Sequence, residues 1–348
     1  MKKNYMISYA RIIAIFLVVF GHVLFIFDNG YSWIITGNYP KYNSIMILRK
    51  IIYAFHMAAF FVISGYLFKF SITKNEPKIF IKKRINRLLL PFIFFKYCVY
   101  QPSKIVVNPG IYSFGGKYTP FLNYLFDFDL GHLWFIITLF FIEMIEFVIH
   151  KFISKNDKTN MLWLLITLII TIAIGKIRNY IPSLPNTIYN IMLYLFYFEF
   201  GYYLSKRQNM FKSIKDNILH IIAYTFIFSI FFILLISKNK YTSIIYVVLK
   251  ITGTMSLLYF CDILSKITKN YRLSKLETLS MPIYLWHQCY LYIILKFWRW
   301  PYDWKYVIIA TSLCIILSIL SSLMLSSLKL NVLDGGLTFE SKTKAKKN

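Results

Sequence analysis

Long apolar runs separated by short polar and basic stretches recur along the whole chain. A membrane-crossing helix needs about 20 mainly apolar residues. Runs of that kind lie near 7–27, 51–70, 88–107, 133–150, 161–177, 188–205, 218–237, 243–264, 280–297 and 306–328. The pattern predicts an all-α polytopic membrane protein of about ten transmembrane helices. Pro91 and Lys96 break the third run, and Pro282 sits at the start of the ninth. Proline is tolerated in membrane helices where neighbouring groups satisfy the freed backbone. The stretch from Met1 to Phe27 lacks a small-residue cleavage site and is long enough to span, so it is expected to stay as the first helix. No internal repeat and no soluble domain is evident. Residues 1–330 are expected to form one membrane-embedded domain and 331–348 a short basic cytoplasmic tail.

Composition agrees with the pattern. Of the 348 residues, 58% are hydrophobic, 20% aromatic and only 16% charged, where soluble domains carry about 25% charged residues. The formal charge of +26 does not indicate nucleic acid, because the basic residues fall between apolar runs and not on one face of a soluble domain. With the N-terminus inside, the inner segments hold 25 Lys and Arg and the outer ones 9. The excess centres on 69–87, with Lys69, Lys74, Lys78, Lys82, Lys83, Arg84 and Arg87. The positive-inside rule then puts both termini in the cytoplasm. The final basic residues, from Lys342, are expected to touch anionic lipid. Cys98, Cys261, Cys289 and Cys314 lie in or beside apolar segments without a CxxC pair. They predict neither a disulfide framework nor a metal site.

Ionisable residues inside a span are costly and therefore candidates for function. Arg11 and His22 lie eleven positions apart. At about 100° per residue they return to within about 20° of one helix face, about 16 Å apart along the axis. Arg84 and Arg87, at i and i+3, share a face on a helix, and their guanidinium groups suit a phosphorylated cytoplasmic ligand; the plain alternative is a positive-inside anchor. His132 and Trp134 lie in Gly131-His-Leu-Trp-Phe135, and His287 and Gln288 close Tyr284-Leu-Trp-His-Gln288. Each stretch reads either as an aromatic belt with a satisfied histidine or as part of a polar binding site. His56 belongs to a span whose Ser64 and Gly65 permit close helix packing. Glu199 and Asp262 are acids inside spans that can pair with Lys250 or with a histidine, and the sequence does not choose.

Taken together, these stretches resemble the acyltransferase-3 family of integral membrane acyltransferases, in particular its sugar O-acetylases. The resemblance is carried by Arg11-Ile-Ile-Ala-Ile-Phe-Leu-Val-Val-Phe-Gly-His22, by Phe55-His-Met with Phe60-Phe-Val-Ile-Ser-Gly-Tyr66, by Arg84-Ile-Asn-Arg-Leu-Leu-Leu-Pro91, by Gly131-His-Leu-Trp-Phe135 and by Pro282-Ile-Tyr-Leu-Trp-His287. It implies ten helices around a central cavity and transfer of an acyl group, usually acetyl, from cytoplasmic coenzyme A thioester to a sugar hydroxyl. It also implies His22 as the catalytic residue and Arg84 and Arg87 at the cofactor end. The chain departs from the family pattern at Ala58-Ala59, where relatives often show Pro-Leu. It also shows no fused C-terminal hydrolase-like domain, so acceptor binding is expected from the membrane domain or a separate partner.

A neutral imidazole can take the proton of an attacking hydroxyl or accept the acyl group itself, and His22 fits both roles. Asp28 is a nearby acid able to tune it. Arg11 is expected to steer the acyl-CoA along the cavity while Arg84 and Arg87 hold its phosphates. Asp28, His56, His132, Trp134 and His287 are assigned to acceptor binding or support. The expected partners are acetyl-CoA as acyl donor, a carbohydrate acceptor, membrane lipid and envelope polysaccharide biosynthesis proteins, with no metal and no nucleic acid. The expected location is the inner (cytoplasmic) membrane of a bacterium with an AT-rich genome. The competing reading is a polysaccharide or lipid-linked sugar transporter or flippase, which would account for the spans and aromatics equally well. It lacks the inverted, Gly/Pro-broken helix pair that points to such carriers.

Overall fold

The computed structural model describes residues 5–28, 30–35, 42–74, 76–110, 129–153, 156–177, 180–182, 184–207, 210–211, 213–237, 242–268 and 276–335. All ten apolar runs are helical. In chain order they are α1 (Tyr5–Leu24), α2 (Asn43–Lys74), α3 (77–107), α4 (Trp134–Val148), α5 (Asp157–Ile177), α6 (Asn186–Lys206), α7 (Ile214–Ile236), α8 (Thr242–Thr268), α9 (Ser280–Phe297) and α10 (Trp304–Ser327). Among the described residues, seven of these segments are long and apolar enough to cross a membrane on length and composition alone. The other three are α3, α6 and α9, whose tyrosines, prolines and buried polar side chains dilute their hydropathy.

α3 shows how a broken apolar run still makes one helix. Two π turns, Ile85–Leu89 and Phe95–Tyr100, interrupt it, each followed by a segment with proline in its first turn. Leu90 N–H donates to Ile85 O and Gln101 N–H to Lys96 O, both five residues back. Proline lacks an N–H and crowds the carbonyl four residues before it. A widened turn absorbs that conflict without ending the helix. α10 starts on a side-chain cap, with Asp303 Oδ1 accepting from Lys305 N at 2.8 Å and Tyr306 N at 3.1 Å.

The chain divides into two compact units. The first comprises Met1–Leu17, Lys50–Lys82 and Thr138–Glu277. Here α2 and α6 meet backbone to backbone: a Cβ on Gly65 would lie 1.8 Å from Phe198 O, and one on Gly201 would lie 1.9 Å from Val62 O. Only glycine allows that approach, as expected for Gly65. Phe61, Phe68, Phe80, Tyr197 and Phe198 are fully buried there. α7 packs on α8 but leaves Ile222, Phe226 and Ile233 more than 60% exposed. Such an apolar face is stable against lipid and not against water.

The second unit comprises Val18–Arg49, Lys83–Ile137 and Thr278–Asn348. The α9–α10 hairpin is its largest piece, and the last segment of α3, Gln101–Val107, packs on α9. Leu24, Ile26, Phe95, Leu133, Leu285, Leu291 and Tyr306 are buried in its core. The first residues assigned to the tail, 331–335, fold back onto this unit. Asp334 is fully buried, and a Cβ on Gly335 would lie 2.9 Å from Met281 Cγ and 3.3 Å from Arg87 O. The remainder of the tail, 336–348, lies outside the described residues.

Candidate active site

The second unit gathers three histidines from three elements. The His22 and His287 ring centroids lie 5.2 Å apart, and His132 and His287 are also 5.2 Å apart. His22 ends α1 and is half-buried, whereas His132 and His287 are buried.

Backbone carbonyls fix the two buried rings. His287 Nδ1 lies 3.0 Å from Ile283 O and 2.8 Å from Tyr284 O, one turn earlier on its own helix. A carbonyl can only accept, so Nδ1 carries the hydrogen and Nε2 of the neutral ring carries the lone pair. Nε2 is buried with no hydrogen-bond partner among the described residues. His132 is the mirror case: Nε2–H donates to Leu285 O at 3.1 Å, while Nδ1 is buried without a partner among the described residues. Two imidazole lone pairs are thus held ready in a region walled by Tyr100 and Tyr284, whose ring centroids lie 5.5 and 5.6 Å from that of His132. An unsatisfied buried acceptor is costly, and such acceptors mark places where a substrate hydroxyl or a water is to be received.

The framework around them is specific. The 3₁₀ turn Gly131–Leu133 delivers His132, and it requires glycine because Gly131 has φ +45° and a Cβ there would lie 2.1 Å from Tyr100 Oη. Asp129 braces the turn, its Oδ1 accepting from Gly131 N at 2.9 Å and its Oδ2 from Lys104 Nζ at 3.1 Å and Tyr100 Oη at 3.3 Å. Tyr284 Oη donates to the carbonyl of His132. Tyr31 Oη donates to His22 O at 2.9 Å and accepts from Gln288 Nε2 at 3.3 Å, tying the end of α1 to α9.

Of the residues singled out in the sequence, His22, His132 and His287 come together. Asp28 is engaged by Arg49, whose Nε donates to Oδ2 at 2.6 Å and whose guanidinium lies over Phe25. Trp134 packs edge-on against Phe135, 6.3 Å between centroids. Arg84 is buried, and Arg87 is half-buried inside the first π turn of α3. That turn replaces the regular α geometry assumed for an i, i+3 pair. Arg11 and His56 belong to the first unit. Arg11 is half-buried on α1, and His56 Nδ1–H donates to Ile52 O at 2.8 Å on its own helix. Of the acids left open, Glu199 meets His150, while Asp262 accepts from Asn217 Nδ2 at 2.7 Å and pairs with Lys266. Lys250 lies over the rings of Tyr194, Tyr197 and Tyr246.

Tyr31, Tyr100 and Asp129 were not singled out from sequence. Asp129 had a signal, since an Asp two residues before a glycine forms a turn with its own backbone. Tyr31 and Tyr100 had none among 28 tyrosines.

Ten helices among the described residues, an aromatic-walled cluster of imidazoles and two arginines early in α3 define the class: a multi-pass membrane protein with a polar interior site. Residues 4–326 match the acyltransferase-3 family, described as an acyltransferase domain, and the chain belongs to that family. It is similar to the "Glucans biosynthesis protein C" of Shigella dysenteriae serotype 1 (strain Sd197), 26% identical over 224 residues, which covers 57% of this chain and 56% of that protein. The proteins of the same name from Escherichia coli O1:K1 / APEC and O139:H28 (strain E24377A / ETEC) match to the same extent. The match thus spans little more than half the length of these relatives. No solved structure matches the chain.

Proposed function

We propose that this protein is a membrane-embedded O-acyltransferase that moves an acetyl or similar acyl group from cytoplasmic acyl-CoA to a hydroxyl of an envelope or exported polysaccharide. The observation that carries this reading is the His22–His287–His132 cluster, in which backbone carbonyls hold two rings by one nitrogen each and leave the other nitrogen turned away from those bonds. Family membership supports the reaction class. The glucan in the relatives' name supports a sugar acceptor.

In this reading, His22 takes the proton of the acceptor hydroxyl as its oxygen attacks the thioester carbonyl. The C–S bond then breaks, and the departing thiolate receives that proton, leaving His22 neutral again. The alternative within the same site is attack of the His22 ring on the thioester carbonyl with loss of the CoA thiolate, then attack of the sugar hydroxyl on the acyl-imidazole, which frees the ring and passes the hydroxyl proton to the thiolate. His287 and His132 accept hydrogen bonds from the sugar and orient the reacting hydroxyl. Arg84 and Arg87 grip the phosphates of the CoA portion, and Arg11 draws it toward the site. The topology that suits this division places both termini and the basic start of α3 in the cytoplasm of a bacterial inner membrane.

The reading is tested by incubating purified protein in detergent or vesicles with radiolabelled acetyl-CoA and a panel of envelope glycans, glucans among them. Label on sugar that depends on the protein is the expected result. Label that never leaves acetyl-CoA, with glycan transport across vesicles instead, would favour a carrier.

A further inference from the structure

A second cluster of polar side chains lies in the first unit, at the end of α4 and on α6. The sequence pattern did not single it out. Glu146, His150 and Glu199 are all buried, and their ligand atoms lie within 4.8 Å of one another. His150 Nε2 lies 2.7 Å from Glu199 Oε2 and 3.3 Å from Glu146 Oε2. Glu146 and His150 stand four residues apart, and the π turn Ile149–Ile153 begins between them. Single π turns often occur at functional positions, where they re-aim a side chain.

The surroundings provide the shell of a built site. Trp163 Nε1–H reaches both oxygens of Glu146, at 3.2 and 3.1 Å. His150 stacks on Tyr202 with 3.9 Å between ring centroids, and Phe68 lies 6.2 Å away. No bond at Nδ1 orients the His150 ring among the described residues. Its aim is therefore set by the stacking and by what lies at Nε2.

Hydrogen bonding alone explains this arrangement poorly. One Nε2–H cannot serve two carboxylates well, and without a cation the cluster is neutral only if a carboxylate as well as the ring takes up a proton. Burying an uncompensated charge is strongly unfavourable. A divalent ion removes both difficulties. It neutralises the two carboxylates, takes the lone pair of a neutral imidazole, and needs ligands at about 2.0–2.2 Å, which small side-chain rotations supply.

We propose that Glu146, His150 and Glu199 bind one divalent transition-metal ion, of the kind that favours mixed nitrogen and oxygen donors such as zinc or manganese. The ion pins the end of α4 to α6. Its role is structural, and it does not depend on acyl transfer being the activity.

The test uses the full-length protein, purified in detergent with a histidine-free tag and no chelator. Metal content by plasma mass spectrometry should show one such ion per chain. Chelation should lower the melting temperature by several degrees, and added Zn²⁺ or Mn²⁺ should restore it, as binding to the folded state requires. Glu199→Gln keeps the side-chain shape and should lose both the ion and the thermal response. If that variant does not fold, chelation and readdition on the wild type decide alone. A metal-free wild type whose melting temperature ignores Zn²⁺ and Mn²⁺ overturns the proposal.

Discussion

The two histidine clusters of this protein solve the burial of an imidazole in opposite ways. In the second unit, His132 and His287 each donate to backbone carbonyls, carry no carboxylate neighbour in those bonds, and keep one lone pair unused. In the first unit, His150 turns its Nε2 toward two carboxylates. A carbonyl fixes which nitrogen carries the hydrogen, so in the neutral ring the other nitrogen is the one open to a reactant. Carboxylates consume that nitrogen or recruit a cation, and the cluster becomes a clamp. Under the two proposals above, the difference separates a site for chemistry from one for cohesion, and each side of it can be tested.

The largest expected effect is at the reacting ring. His22→Ala should lower acyl transfer by about 10²–10⁴-fold, the range of a lost general base, while the protein still inserts and keeps its melting temperature. His287→Phe, which keeps the ring volume and removes the lone pair, should cost about 10-fold or more in kcat/KM through misplaced substrate. Activity equal to wild type would end the comparison, because the unused lone pairs would then have no role. Gly131→Ala comes next and acts through the frame. With φ at +45° and Tyr100 Oη 2.1 Å from the new Cβ, it should destabilise by about 1–3 kcal/mol and lower activity with it, read as a reduced melting temperature.

Smaller effects sharpen the picture. Arg84→Lys keeps the charge and loses the fork, so it should raise the apparent KM for acyl-CoA several-fold with kcat little changed; an unchanged KM argues against the phosphate role. Asp28→Asn should cost about 1–3 kcal/mol in stability, because its Arg49 partner is largely buried and loses a charge-assisted hydrogen bond, and it should leave turnover near wild type. A large fall in turnover instead would return Asp28 to the chemistry.

Much of the fold was legible because a membrane helix is written in length and hydropathy, and all ten runs are helical. α3 was the hard case: two prolines suggest a break, and only the backbone shows the π turns that carry the helix through them. The site was legible residue by residue and not as a whole. His22, His132 and His287 stood in recognisable stretches, yet their convergence depends on tertiary packing that periodicity does not encode. The Glu146–His150 spacing was visible at i, i+4, but its third member, Glu199, comes from a helix about fifty residues later and read only as a buried acid in search of a base.

The central claim is that the half-buried imidazole of His22 performs acyl transfer beside two rings oriented by backbone carbonyls. The most direct measurement is transfer of labelled acetyl from acetyl-CoA to glycan by wild type and His22→Ala side by side, with the variant's fold checked by its melting temperature. The account predicts label on sugar with the wild type and a loss of about 10²-fold or more in the folded variant. Equal transfer by the folded variant would contradict it.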